Sequence, residues 1–116
     1  MNKKENLQDR AYAFSLRIIK FLNEHRNIPL SVRDQLLRSA TSIGANLIEA
    51  RGSGSKKEFA RFFQISLKSA NETEYWLRLI SDGYGYKDNE ILNSVGELSK
   101  MIAASLITMR NNDNSK

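Results

Sequence analysis

Three groups of residues in this 116-residue chain have types and spacings that could carry chemistry. The first is cationic. Arg51, Lys56, Lys57, Arg61 and Lys68 lie around the turn-like run Gly52-Ser53-Gly54-Ser55, interrupted by Glu58. Lys57, Arg61 and Lys68 are spaced by four and seven, which puts them on one helix face. Lys and Arg clusters bind phosphate, and so do helix N-termini. Residues Gly52 to Ser55 would expose backbone N–H groups beside the charges. The competing reading is a solvated turn with ordinary surface charge. No aromatic residue is clearly interleaved with the cations, which weighs against stacking of a single strand.

The second group is Arg38, Ser42, Asn46 and Glu49. Spacings of four, four and three place them within a quarter of a helix circumference. Glu72 is a candidate to face Arg38 or Asn46 from a neighbouring helix. The expected role is structural, as a hydrogen-bond network that fixes helix register or as a subunit interface. The third group is apolar and is taken up with the helices below.

Other chemistries find no support. A dinuclear metal site in a helix bundle uses Glu-x-x-His pairs. Here the single His, His25, has no Glu three residues before it. It also has no Arg four to six residues upstream, which argues against a His-dependent ribonuclease. Glu72 and Glu74 are two apart and point about 200° away from each other, so they cannot act as a carboxylate pair. No Ser, His and acid grouping and no strand-borne phosphate loop is evident. The chain is expected to be no enzyme and to bind no metal or cofactor.

Composition sets the frame for these groups. The length suits one domain with a core that needs no staples. There is no Cys, which excludes disulfides and thiolate metal sites and fits a reducing, cytoplasmic setting. The opening MNKKENLQDR is polar and does not read as a secretory signal. No apolar run approaches the roughly 18 residues that cross a bilayer, so no membrane role is expected. The net charge of +5 permits contact with phosphate or an acidic partner without demanding it. One Pro and six Gly favour long helices.

Periodicity predicts four of them, over residues 6–25, 30–51, 55–82 and 88–110. In the first, Leu7, Ala11, Phe14, Ile18 and Phe21 form a heptad-like seam, and Tyr12, Leu16, Ile19 and Leu22 widen it. That surplus, with Tyr84 and Tyr86 in a loop, suggests either a partner or a wide core face. The second helix carries Leu36, Ala40, Ile43, Leu47 and Ala50, with Leu37 and Ile48 on one flank. Ser31 and Asp34 read as its capping box. Gly44 inside it implies either close approach of another helix or simple tolerance. Gly52 should end it in a left-handed conformation, and Ser55 with Glu58 should cap the third helix.

The third helix presents Phe59, Phe62, Phe63, Ser66, Ala70, Thr73, Trp76, Leu77 and Ile80, aromatic at its ends and small in the middle. Asp82-Gly83 should stop it. Asp88 should cap a fourth helix whose face is Ile91, Val95, Leu98, Ile102, Leu106 and Met109, with fraying from Arg110 onward. Short links between helices of similar length imply an all-α, antiparallel up-down-up-down four-helix bundle.

QLLRSATSIGANLIEA followed by SKKEFARFFQISLKSANETEYWL resembles the four-helix bundle proteins encoded within intervening sequences of bacterial 23S rRNA genes. Gln35, Leu36, Arg38, Ser39, Ser42, Ile43, Asn46, Glu49, Ser55, Glu58, Phe59, Phe62, Ser69, Glu72 and Leu77 match that family's pattern. Ala50, Lys68 and Leu47-Ile48 depart from it. The resemblance implies an antiparallel bundle that assembles into a homo-oligomeric ring, commonly a pentamer. It also implies an association with structured RNA or with a reverse transcriptase, since a related branch supplies the accessory protein of diversity-generating retroelements. It implies no enzymatic activity.

Overall fold

The computed structural model describes residues 6–114 of the chain. It contains α1 (Leu7–Glu24), α2 (Leu30–Arg51), α3 (Lys56–Tyr84) and α4 (Asn89–Asn114). α1 packs on α2 and α4, and α3 packs on α2 and α4, while the backbones of the diagonal pairs stay apart among the described residues. This is the antiparallel four-helix bundle that the short links imply. One buried cluster runs through all four helices.

The seams form as the spacing requires. Leu36, Ala40, Ile43, Leu47 and Ala50 of α2 are all buried, as are Ala11, Phe14, Ile18 and Phe21 of α1. In α4, Ile91, Val95, Leu98 and Ile102 are buried, and Leu106 and Met109 pack against the same core at its end. Of the residues that widen the α1 stripe, Leu22 is buried, whereas Tyr12, Leu16 and Ile19 are exposed. A Cβ added at Gly44 would meet the Cβ of Ala11 at 3.4 Å. Close approach of α1 therefore accounts for this glycine.

The helix ends differ from expectation in four places. α2 is capped by Pro29 (φ −55°), with no side-chain cap bond. The N–H groups of Val32 and Arg33 both bond to the Pro29 carbonyl. Proline's fixed φ sets the helix entry, so Ser31 lies two residues too late to cap it. Gly52 closes α2 at φ −90°, not in the left-handed region. α3 passes through Gly83 and ends at Gly85 (φ 81°), whose N–H bonds to the Ser81 carbonyl. Ending there lets Tyr86 pack, tilted, on the His25 ring with centroids 4.5 Å apart, and that ring in turn lies 4.7 Å from Phe21. α4 runs to Asn114, because Leu106 and Met109 still pack, partly buried, against the core and no Gly or Pro follows to stop the helix. The Asp88 cap holds, accepting from the Ile91 N–H at 3.1 Å, and Asn6 caps α1 by accepting from the Asp9 N–H at 2.7 Å.

Gly83 and Gly96 have helical backbone and open space where a Cβ would sit. Gly83→Ala and Gly96→Ala should each stabilise the fold by about 0.5–1 kcal/mol, the helix-propensity difference. Gly85→Ala should destabilise it by about 1 kcal/mol, because an L-residue is strained at that φ. Thermal melts of the three variants should thus shift with opposite signs. A common direction would contradict the cap assignment.

Candidate nucleic-acid interface

The second turn is built by two reciprocal contacts. The Ser55 hydroxyl accepts from the Glu58 N–H at 3.1 Å, and the Glu58 carboxylate accepts from the Gly54 N–H at 3.0 Å. The Gly52 and Ser53 N–H groups bond back to Glu49 and Ala50 carbonyls at 3.1 and 3.2 Å. Three of the four turn N–H groups are therefore consumed within the chain. A backbone cradle for phosphate, expected from the Gly/Ser composition, is largely spent on the helix ends.

The side chains are placed differently. Arg51, Lys56, Lys57, Arg61 and Lys68 are all exposed. None of them pairs with a carboxylate among the described residues; the ion pairs there involve Arg17 and Arg38. Arg51 and Lys56 flank a shallow cleft floored by Phe59 and Met109, where the turn meets the end of α4. Lys57, Arg61 and Lys68 run along the outer face of α3. The acids nearest in sequence do not neutralise them: Glu58 serves the cap, and Glu49 and Glu74 point to solvent.

The polar group lies between α2 and α3. Arg38 holds the Gln35 side chain at 2.9 Å and pairs with Glu72 across the helices. Glu72 also accepts from the Trp76 indole N–H at 2.9 Å. Asn46 donates to the Ser42 carbonyl at 2.8 Å and to its hydroxyl at 2.9 Å, both within α2. Ser42 reaches α3 through the Ser69 hydroxyl at 2.9 Å. Glu49 is not part of the set. It shares their helix face but is exposed and makes no hydrogen bond or ion pair to these residues.

Deeper in the same interface, a polar ladder escapes sequence reasoning. The Ser66 hydroxyl donates to the Ile43 carbonyl at 2.8 Å, and Thr73 Oγ1 lies 2.9 Å from Ser39 Oγ. All three hydroxyl-bearing residues are fully buried. Their small size permits the close packing of α2 on α3, and each hydroxyl finds a partner, as burial requires. The Ser39-x-x-Ser42 and Ser66-x-x-Ser69 spacings are the available signal.

The described residues hold no group of three or more metal-ligating side chains, and no helix among them is long and apolar enough to cross a membrane. A search of curated proteins gave no match. Among solved structures, a protein of unknown function from the S23 ribosomal protein family of Bacteroides thetaiotaomicron VPI-5482 superposes with a TM-score of 0.80 at 34% identity, over 87% of this chain and 98% of that one. The model of the 23S rRNA-intervening sequence protein family matches residues 3–107. The chain therefore belongs to the 23S rRNA-intervening sequence protein family.

Proposed function

We propose that this protein is a non-enzymatic, self-associating scaffold that binds structured RNA through the phosphate backbone. The observation that carries the reading is the cationic row from Arg51 to Lys68, exposed and without carboxylate partners among the described residues. Side chains left unpaired on a rigid helix can neutralise phosphates at little ordering cost. A docking protein that engages a reverse transcriptase without touching nucleic acid would sooner have these cations tied to Glu49, Glu58 and Glu74. Crosslinking to 23S rRNA fragments should yield modified peptides from residues 51–68. Crosslinks confined to α1 or to the outer face of α2 would oppose the assignment.

Self-association, as a ring of the pentameric kind, is supported by a separate face. Ala11 and Gly44 mark the α1–α2 contact. Beside it on α1, Tyr12, Leu16 and Ile19 recur at four and three. On α2, Leu37 and Ile48 lie seven before and four after Gly44. All five are exposed, Tyr12 at 68%. An apolar patch shared by two helices is uncommon on a monomer that has no use for it. Sedimentation should find more than one protomer per particle, and Leu16→Asp with Ile48→Asp should dissociate it without loss of helicity. A monomeric parent protein would end this part of the reading.

A further inference from the structure

We infer that Tyr75 is a stacking platform for an unpaired base, so that the RNA taken by the α3 face includes a single-stranded segment. The inference rests on the nucleic-acid reading above and names the kind of RNA.

Tyr75 lies 18 residues beyond Lys57, five whole turns, and seven beyond Lys68. Lys57, Arg61, Lys68 and Tyr75 thus fall within about 40° of one another on α3, over a rise of about 27 Å. A strand held by the three cations is led along the helix to the ring. The Tyr75 side chain is exposed (58%), which is unusual for so large a group on a helix whose inner face is well filled.

The ring is also held in place. It packs edge-on to Trp76, with centroids 5.1 Å apart and planes at 76°. Trp76 is anchored by its N–H to Glu72, and Glu72 is tied to Arg38 of α2. The polar set of α2 and α3 therefore buttresses an aromatic ring that itself faces water. A pre-positioned ring loses little freedom when a base stacks on it. The shallow groove beside Tyr75 offers donors from Asn71 and Arg78 and acceptors from Glu74 and Asp82. Splayed bases are read by this combination of an aromatic face and edge-on hydrogen-bonding groups.

The test compares one sequence as a single-stranded RNA of roughly a dozen nucleotides and as its duplex, by fluorescence anisotropy. The unmodified protein should prefer the single strand. Tyr75→Ala should weaken the single strand by about fivefold to a hundredfold, leave the duplex unchanged and leave the salt dependence of both intact. Tyr75→Phe, which keeps the ring face, should bind like the parent. Single-strand affinity unaffected by Tyr75→Ala, or an equal loss on the duplex, would overturn the platform while leaving the cationic face standing. Failure of the unmodified protein to bind either RNA at low salt would overturn both readings together.

Discussion

Replacing Lys56, Lys57 and Arg61 with Gln should leave the helical signal and particle size intact and weaken RNA binding roughly a hundredfold at about 0.1 M salt. The magnitude follows from counterion release. Each phosphate contact contributes about 0.7–0.9 to the slope of log affinity against log salt, so three contacts remove about two from that slope. Folding should be spared because all three side chains are exposed and none carries an ion pair or a cap among the described residues; Ser55 and Glu58 hold the helix start without them. The substitutions lower the formal net charge from +5 to +2. A general charge effect can be separated from a located one by changing Arg17, Lys20 and Arg26 instead, which costs the same charge on other faces. That control should lose far less. Equal losses would mean that the row on α3 is not the contact.

Ser66→Leu should destabilise the bundle by about 3 kcal/mol or more and lower Tm by roughly 10 °C or more, whereas Ser66→Ala should cost only about 1 kcal/mol. Ser66 is fully buried where α3 leans on α2, and its hydroxyl reaches the Ile43 carbonyl. Removing the hydroxyl forfeits one hydrogen bond to a carbonyl that still has its own helical partner. Adding three carbons forces the helices apart and disturbs the Ser42–Ser69 and Ser39–Thr73 contacts one and two turns along. Thermal denaturation followed by circular dichroism reads both. If Leu were tolerated as well as Ala, the small residues of α3 would not be setting the helix spacing.

The bundle was legible in the sequence because three of its causes are local. The seam of α2 is a strict three-and-four pattern, the Ser55–Glu58 and Asp88 caps are short-range chemistry, and a single Pro leaves little to interrupt a helix. What was illegible depends on tertiary contact. Ile28 reads as loop beside Pro29, yet it is buried at the end of the bundle. Asp82-Gly83 reads as the end of α3, yet the helix continues to Gly85, beyond which Tyr86 packs on the His25 ring. Tyr12 and Ile18 both belong to an apolar stripe, and only the packing of α1 against α2 and α4 decides that Ile18 goes in and Tyr12 stays out.

The candidate site divides in the same way. The cations are legible because charge and spacing are sequence properties. Three of the four turn N–H groups promised by Gly52 to Ser55 proved to be occupied, since helix ends compete for the same donors. Tyr75 already aligns with the lysines on a helix over 55–82; its exposed ring and its edge-on packing against Trp76 are what only the structure shows. Arg38, Glu72 and Trp76 gain a shared purpose only through contact between two helices.

The central claim, that a cationic face binds RNA through its phosphates, is tested most directly by the affinity of the unmodified protein for 23S rRNA fragments across a salt series. The account predicts measurable binding at low salt and a linear fall of log affinity with log salt, with a slope of about −3 or steeper for the contacts from Arg51 to Lys68. Absence of binding at low salt, or an affinity indifferent to salt, would contradict it.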